Sequence, residues 1–125
     1  AAFQADVQDA ASVAQMVKEA ETAFDPITTV VHNALADYSF NGDARAKLDT
    51  LTSEEIISQH STAVLGALNV IQATIPAMVK AGFGRIVTIG TNLVQNPVVP
   101  YHDYTSAKAA LLALTRTSAA ELGFL

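Results

Sequence analysis

The chain has 125 residues, a formal net charge of −5 and no cysteine. Half of its residues are hydrophobic, enough for one compact domain with its own core. The acidic balance and scattered Lys and Arg argue against a nucleic-acid or membrane partner, and the lack of cysteine excludes disulfides, a thiolate nucleophile and zinc–thiolate sites.

Phe3-Gln-Ala-Asp6-Val7 reads as the end of a strand. Asp9 is a helix cap, because its carboxylate can accept from the free N–H groups of a first turn. The helix is predicted over about 10–24, with Val13, Val17 and Ala20 on one face. Asp25-Pro26 stops it. Ile27-Thr-Thr-Val-Val31 is β-branched and apolar, the pattern of a strand covered on both faces, and it runs into His32-Asn33-Ala34.

Residues 35–50 read as a loop or partly ordered insertion, with Asn41-Gly42-Asp43 its strongest turn signal. Thr52-Ser-Glu-Glu55 has capping-box spacing and opens a helical region to about Lys80, with a break expected near His60-Ser61-Thr62. Pro76 is expected to kink it or start a new turn. The apolar stretch 63–79 is interrupted by Asn69, Gln72 and Pro76, and reads as a buried helix rather than a membrane span. Ala81-Gly-Phe-Gly84 ends it, and Ile86–Ile89 is predicted as a second buried strand. A loop with Asn96-Pro97 and Pro100 follows. The last helix is predicted over about 101–122, with Gly123 as its C-terminal cap.

Strands alternating with helices imply an α/β fold: a Rossmann-like parallel sheet between helix layers, in three layers, here as β-α-β-α-β-α. Ligands of such sheets bind beyond the carboxyl ends of the strands. Asn33, Thr91 and the start of the last helix fall at that edge. The apolar faces of helices 63–80 and 104–122 exceed what one sheet face buries.

Tyr104 and Lys108 are four residues apart, which puts them on one helix face a turn apart. A phenol is a poor base at neutral pH, and a nearby ammonium favours its phenolate. The pair can then give or take a proton, while a neutral hydroxyl such as Thr91 can hydrogen-bond a substrate oxygen. These groups suit the oxygen end of a carbonyl–alcohol interconversion but cannot supply hydride, so a nicotinamide cofactor is implied. Alone, a Tyr and Lys at this spacing are as well explained by a half-buried ring and a snorkelling cation. The context carries more: an apolar strand, Gly90, Thr91, a Pro-bearing loop, and Tyr104 thirteen positions after Thr91. Tyr101 is a competing phenol, but Thr105, not Lys, lies four residues after it. His102-Asp103 flanks Tyr104 and could tune it, but it reads rather as an exposed helix start. His32 and His60 read as packing residues, and no metal site is expected.

Gly84-Arg-Ile-Val-Thr-Ile-Gly-Thr91 followed by Tyr104-Thr-Ser-Ala-Lys108-Ala-Ala-Leu resembles the short-chain dehydrogenase/reductase family, most of all bacterial 3-oxoacyl-acyl-carrier-protein reductases. Ala5-Asp6-Val7 is similar to the family's adenine-contacting strand end, and Val31-His-Asn-Ala34 to its Asn-Asn-Ala-Gly turn. The resemblance implies an NAD- or NADP-dependent oxidoreductase acting on a small carbonyl or alcohol; a cytoplasmic location is expected from the absence of cysteine. It implies Tyr104 as the acid/base, Lys108 as its cationic partner and a nicotinamide-ribose ligand, and Thr91 where Ser is usual. Asp6, Val7, Asn33 and Ala34 would line the cofactor. His32 and Leu35 depart from the turn, and Ala63 stands where the family often has Asn, with His60, Ser61 and Thr62 as candidate replacements.

The resemblance also implies a Gly-rich pyrophosphate-binding turn before residue 1 and further strands after residue 125. Residues 1–125 are therefore expected to be the central part of such a domain, with an unpaired edge at the strand Ile27–Val31 that favours association between chains; the family's subunit interface also implies a homo-oligomer through helices 63–80 and 104–122. The competing expectation is a catalytically silent fragment that serves only as a structural or interaction module.

Overall fold

The computed structural model describes residues 1–123. Helix α1 (Ala10–Ala23) begins where Asp9 accepts from the backbone N–H groups of Ala11 and Ser12. Strand β1 (Thr29–His32) follows. Helix α2 (Ser53–His60) opens on a complete capping box between Thr52 and Glu55. It continues through a π-helical turn, Ser61–Leu65, into α3 (Gly66–Ala81). The expected break at residues 60–62 is thus a widening of the helix rather than an interruption. Strand β2 (Arg85–Thr88) and helix α4 (His102–Leu122) complete the order.

The strands pair in parallel, with Val30 opposite Ile86 and His32 opposite Thr88. The link between them runs through α2 and α3, the long helical crossover that parallel strands require. Val13 and Val17 of α1, Val30 of β1, and Val70 and Met78 of α3 form the core, with Ile86 of β2 packed against it. The 29-residue helical run Ser53–Ala81 is long and apolar enough to cross a bilayer by length and composition. Its buried side chains, among them Ala67, Val70, Ile71 and Met78, belong to the interior of this domain.

Several expectations are corrected. Residues 3–7 form no strand: among the described residues no neighbouring strand offers them a ladder, and the segment ends in a turn closed by Asp9 N donating to Asp6 O. Among the described residues, β1 and β2 are covered on one face: Val31 is 59% and Val87 46% exposed, while Val30 and His32 are buried. Ile89, taken as the end of a buried strand, is also exposed and lies just past β2. Gly123 is the C-cap of α4 as expected, but with right-handed backbone at φ −63°, while Gly82 caps α3 with left-handed backbone at φ 64°.

Candidate active site

Two short contacts tie the carboxyl ends of the strands to α4. Ile89 N donates to His32 O at 3.2 Å, extending the ladder one residue past β2. The Lys108 Nζ then donates to Ile89 O at 2.6 Å. Lys108 is 4% exposed, and its burial pushes its pKa below the ordinary lysine value. The ammonium stands 5.8 Å from the Tyr104 ring centroid, the separation expected of residues one helical turn apart. One of its three N–H donors is committed to Ile89, so it retains donors for a ligand.

Thr91 begins the 3₁₀ turn Asn92–Val94, where its Oγ1 accepts from Leu93 N at 3.3 Å. Its hydroxyl proton is not used in that contact. Asn33 and Ala34 follow directly after β1, Asn33 exposed and Ala34 half-buried. Asp6 and Val7 reach the same neighbourhood through Gly66. A Cβ on Gly66 would lie 2.8 Å from Val7 Cγ2 and 3.4 Å from His32 Cε1, so only a bare backbone lets these two segments meet there. Asn69 Nδ2 donates to Val7 O at 2.9 Å, and Gln8 Nε2 to Thr62 Oγ1 at 3.0 Å, which anchors the turn on the helical crossover. The Asp6 carboxylate accepts from Gln8 N at 2.9 Å.

His32 is 3% exposed, and its Nε2 is the one buried side-chain nitrogen or oxygen without a hydrogen-bond partner among the described residues. Burial first, and then the Lys108 ammonium, lowers its pKa, against the opposing pull of the Thr62 and Ala63 backbone. Its ring thus keeps a buried nitrogen without a hydrogen-bond partner among the described residues. The π-helical turn that supplies Thr62 and Ala63 lies where such irregularities frequently mark functional sites. Among the described residues no cluster of three or more His, Asp, Glu or Cys side chains could hold a metal ion.

The segment expected as a loose loop is held across the start of α4. Tyr38 Oη donates to Asp103 Oδ1 at 3.1 Å, and Arg45 donates to Asp103 Oδ2 at 2.8 Å. The Arg45 guanidinium also lies 4.1 Å from the Tyr38 ring centroid. Asp103 is 2% exposed, which corrects its reading as part of an exposed helix start. Its charge is tolerated because both carboxylate oxygens are satisfied. Tyr38 is kept neutral, its pKa raised by burial and by the adjacent carboxylate. The competing phenol, Tyr101, is buried, and its oxygen accepts from Gly42 N at 2.7 Å. Tyr104 packs against Tyr38 and Phe40, with ring centroids at 5.4 and 5.3 Å. Tyr38 and Arg45 are not marked as site residues in the sequence, and Asp103 is marked there only as a neighbour of Tyr104. The signal available was an aromatic pair, Tyr38 and Phe40, just before a strong turn, and it does not specify a partner in α4.

The model of the short chain dehydrogenase family matches residues 1–124. The chain is 35% identical over 122 residues to a short-chain type dehydrogenase/reductase of Picea abies, covering 95% of this chain and 42% of that protein. It is 31% identical over 124 residues to a 3-oxoacyl-[acyl-carrier-protein] reductase of Staphylococcus aureus, covering 97% and 47%. A solved gluconate 5-dehydrogenase from Burkholderia cenocepacia, in complex with NADP and tartrate, superposes with a TM-score of 0.79 at 26% identity, covering 93% of this chain and 43% of that one. The chain thus spans less than half the length of these relatives.

Proposed function

The chain belongs to the short-chain dehydrogenase family, and on that basis we propose that it carries the proton-transfer half of an NAD- or NADP-dependent interconversion of a carbonyl and a secondary alcohol. The observation that carries the reading is the placement of Lys108: 5.8 Å from the Tyr104 ring and pinned at 2.6 Å to Ile89 O, one residue past β2. A cation fixed there lies within reach of the ligand that Tyr104 meets, and the phenol can exchange a proton with a substrate oxygen. In reduction, Tyr104 gives its proton to the carbonyl oxygen. In oxidation, it takes the alcohol proton. The Thr91 hydroxyl, with its proton uncommitted, orients that oxygen without adding charge.

The donor set suits a nicotinamide cofactor. Lys108 keeps N–H donors for ribose hydroxyls, and Asn33, Ala34, Asp6 and Val7 border the same strand ends. The bound cofactor would supply the hydride. The burial of Lys108 and His32 limits competition from water at this end of the sheet. The similarity to the S. aureus reductase supports a 3-oxoacyl type of substrate. Exposed Leu65, Leu68 and Val79 support self-association through the α3 region.

Titrating NADH or NADPH with the protein tests the cofactor part. Nicotinamide fluorescence should rise and saturate, and Lys108→Ala should weaken the response. An unchanged signal with both cofactors would instead favour a silent interaction module.

A further inference from the structure

We propose that Tyr38 and Phe40 form the substrate-facing wall beside Tyr104 and select carbonyl compounds with an apolar substituent on the reacting carbon. The proposal rests on the reading of Tyr104 as the proton donor and adds a substrate class to it.

Phe40 meets Tyr104 edge-on, with an interplanar angle of 85°. Tyr38 lies tilted at 32° to the same ring. The two side chains touch each other at 4.9 Å between centroids, so they act as one surface. Phe40 nevertheless remains 57% exposed. A large apolar ring left half in water, directly against the group that must reach a substrate oxygen, is surface that an apolar ligand would cover.

The wall is also rigid, as a selective surface must be. Asp103, the residue before Tyr104, holds both Tyr38 and Arg45, and Tyr101 holds Gly42. The segment carrying the wall is therefore fixed to the same turn of α4 that carries the phenol. Arg45 and Asp103 neutralise each other within the latch. Tyr38 spends its hydroxyl proton on Asp103, so the wall offers a substrate neither a charge nor that donor. A charged or polyhydroxylated substituent would lose water against Phe40 and gain no partner. An aryl or alkyl group would bury surface on both sides.

The test compares ethyl 3-oxo-3-phenylpropanoate with ethyl 3-oxobutanoate, which differ only in the substituent on the reacting carbon, in the wild type, Phe40→Ala and Phe40→Leu. The wild type should prefer the phenyl compound in kcat/KM. Phe40→Ala should cut that preference about tenfold, mainly through KM, and Phe40→Leu should restore part of it. An unchanged preference, or an equal loss on both substrates, overturns the proposal. A second readout needs no turnover. Phenyl protons of the ketoester should show nuclear Overhauser contacts to the labelled Phe40 ring, in the wild type and in Tyr104→Phe alike. Absence of those contacts also overturns it. Retained turnover in Tyr104→Phe, with the contacts intact, would instead sink the proton-donor reading and leave the wall in place.

Discussion

Asp103 and Arg45 meet at 2.8 Å, with side chains only 3% and 16% exposed, and they join the segment after β1 to the first turn of α4. A buried ion pair of this kind is costly to break from one side, because the surviving charge stays out of water. Asp103→Ala strands Arg45 and leaves the Tyr38 hydroxyl without its acceptor. The expected loss of stability is about 3 kcal/mol. Denaturant unfolding measures it. A change below about 1 kcal/mol, the range of exposed pairs, would mean that the latch is solvated.

Gly66 is the crossing point of Val7 and His32. Alanine there gains roughly 1 kcal/mol of helix propensity but puts a methyl 2.8 Å from Val7 Cγ2 and 3.1 Å from Val7 Cβ. Val7 is short and branched, so it cannot swing clear. Gly66→Ala is expected to destabilise by about 1–3 kcal/mol and to weaken cofactor binding as Asp6 and Val7 shift. A raised melting temperature would show that the segment yields freely.

His32 predicts a pH effect with a definite sign. Its folded-state pKa lies below the ordinary 6.5 because of burial first and Lys108 second. As pH falls through 6.5 the unfolded chain takes up a proton that the folded chain still refuses. The unfolded state then binds more protons, so stability falls with falling pH between 6.5 and the lower folded value. The contribution is fully present above that window. His32→Asn removes this titration while His60 and His102 remain. Between about pH 7.5 and pH 5.5, the wild type should lose more stability than the variant. Equal losses would contradict the assignment to His32.

What was legible in the sequence was mostly local. Asp9 and Thr52-Ser-Glu-Glu55 mark helix starts because capping is decided within four residues. The positions of β1 and β2 follow from short β-branched runs. The expectation that both strands are covered on two faces is not met among the described residues. Apolarity reports that Val31 and Val87 suit burial, not that anything packs on them. The segment 3–7 failed as a strand because a strand is defined by its neighbour. Tyr104, Lys108 and Thr91 were visible through their spacing. Asp103 was not, because its partner Arg45 lies 58 positions away and nothing local encodes the pairing.

The central claim is that Tyr104 exchanges the proton with substrate oxygen, with Lys108 as its fixed cation. Its most direct test is turnover of a ketone by the protein and by Tyr104→Phe, with reduced cofactor, alongside cofactor affinity for both. The account predicts a fall in kcat of about a hundredfold or more, with affinity for NADH or NADPH nearly unchanged. Turnover retained at the wild-type level would contradict it.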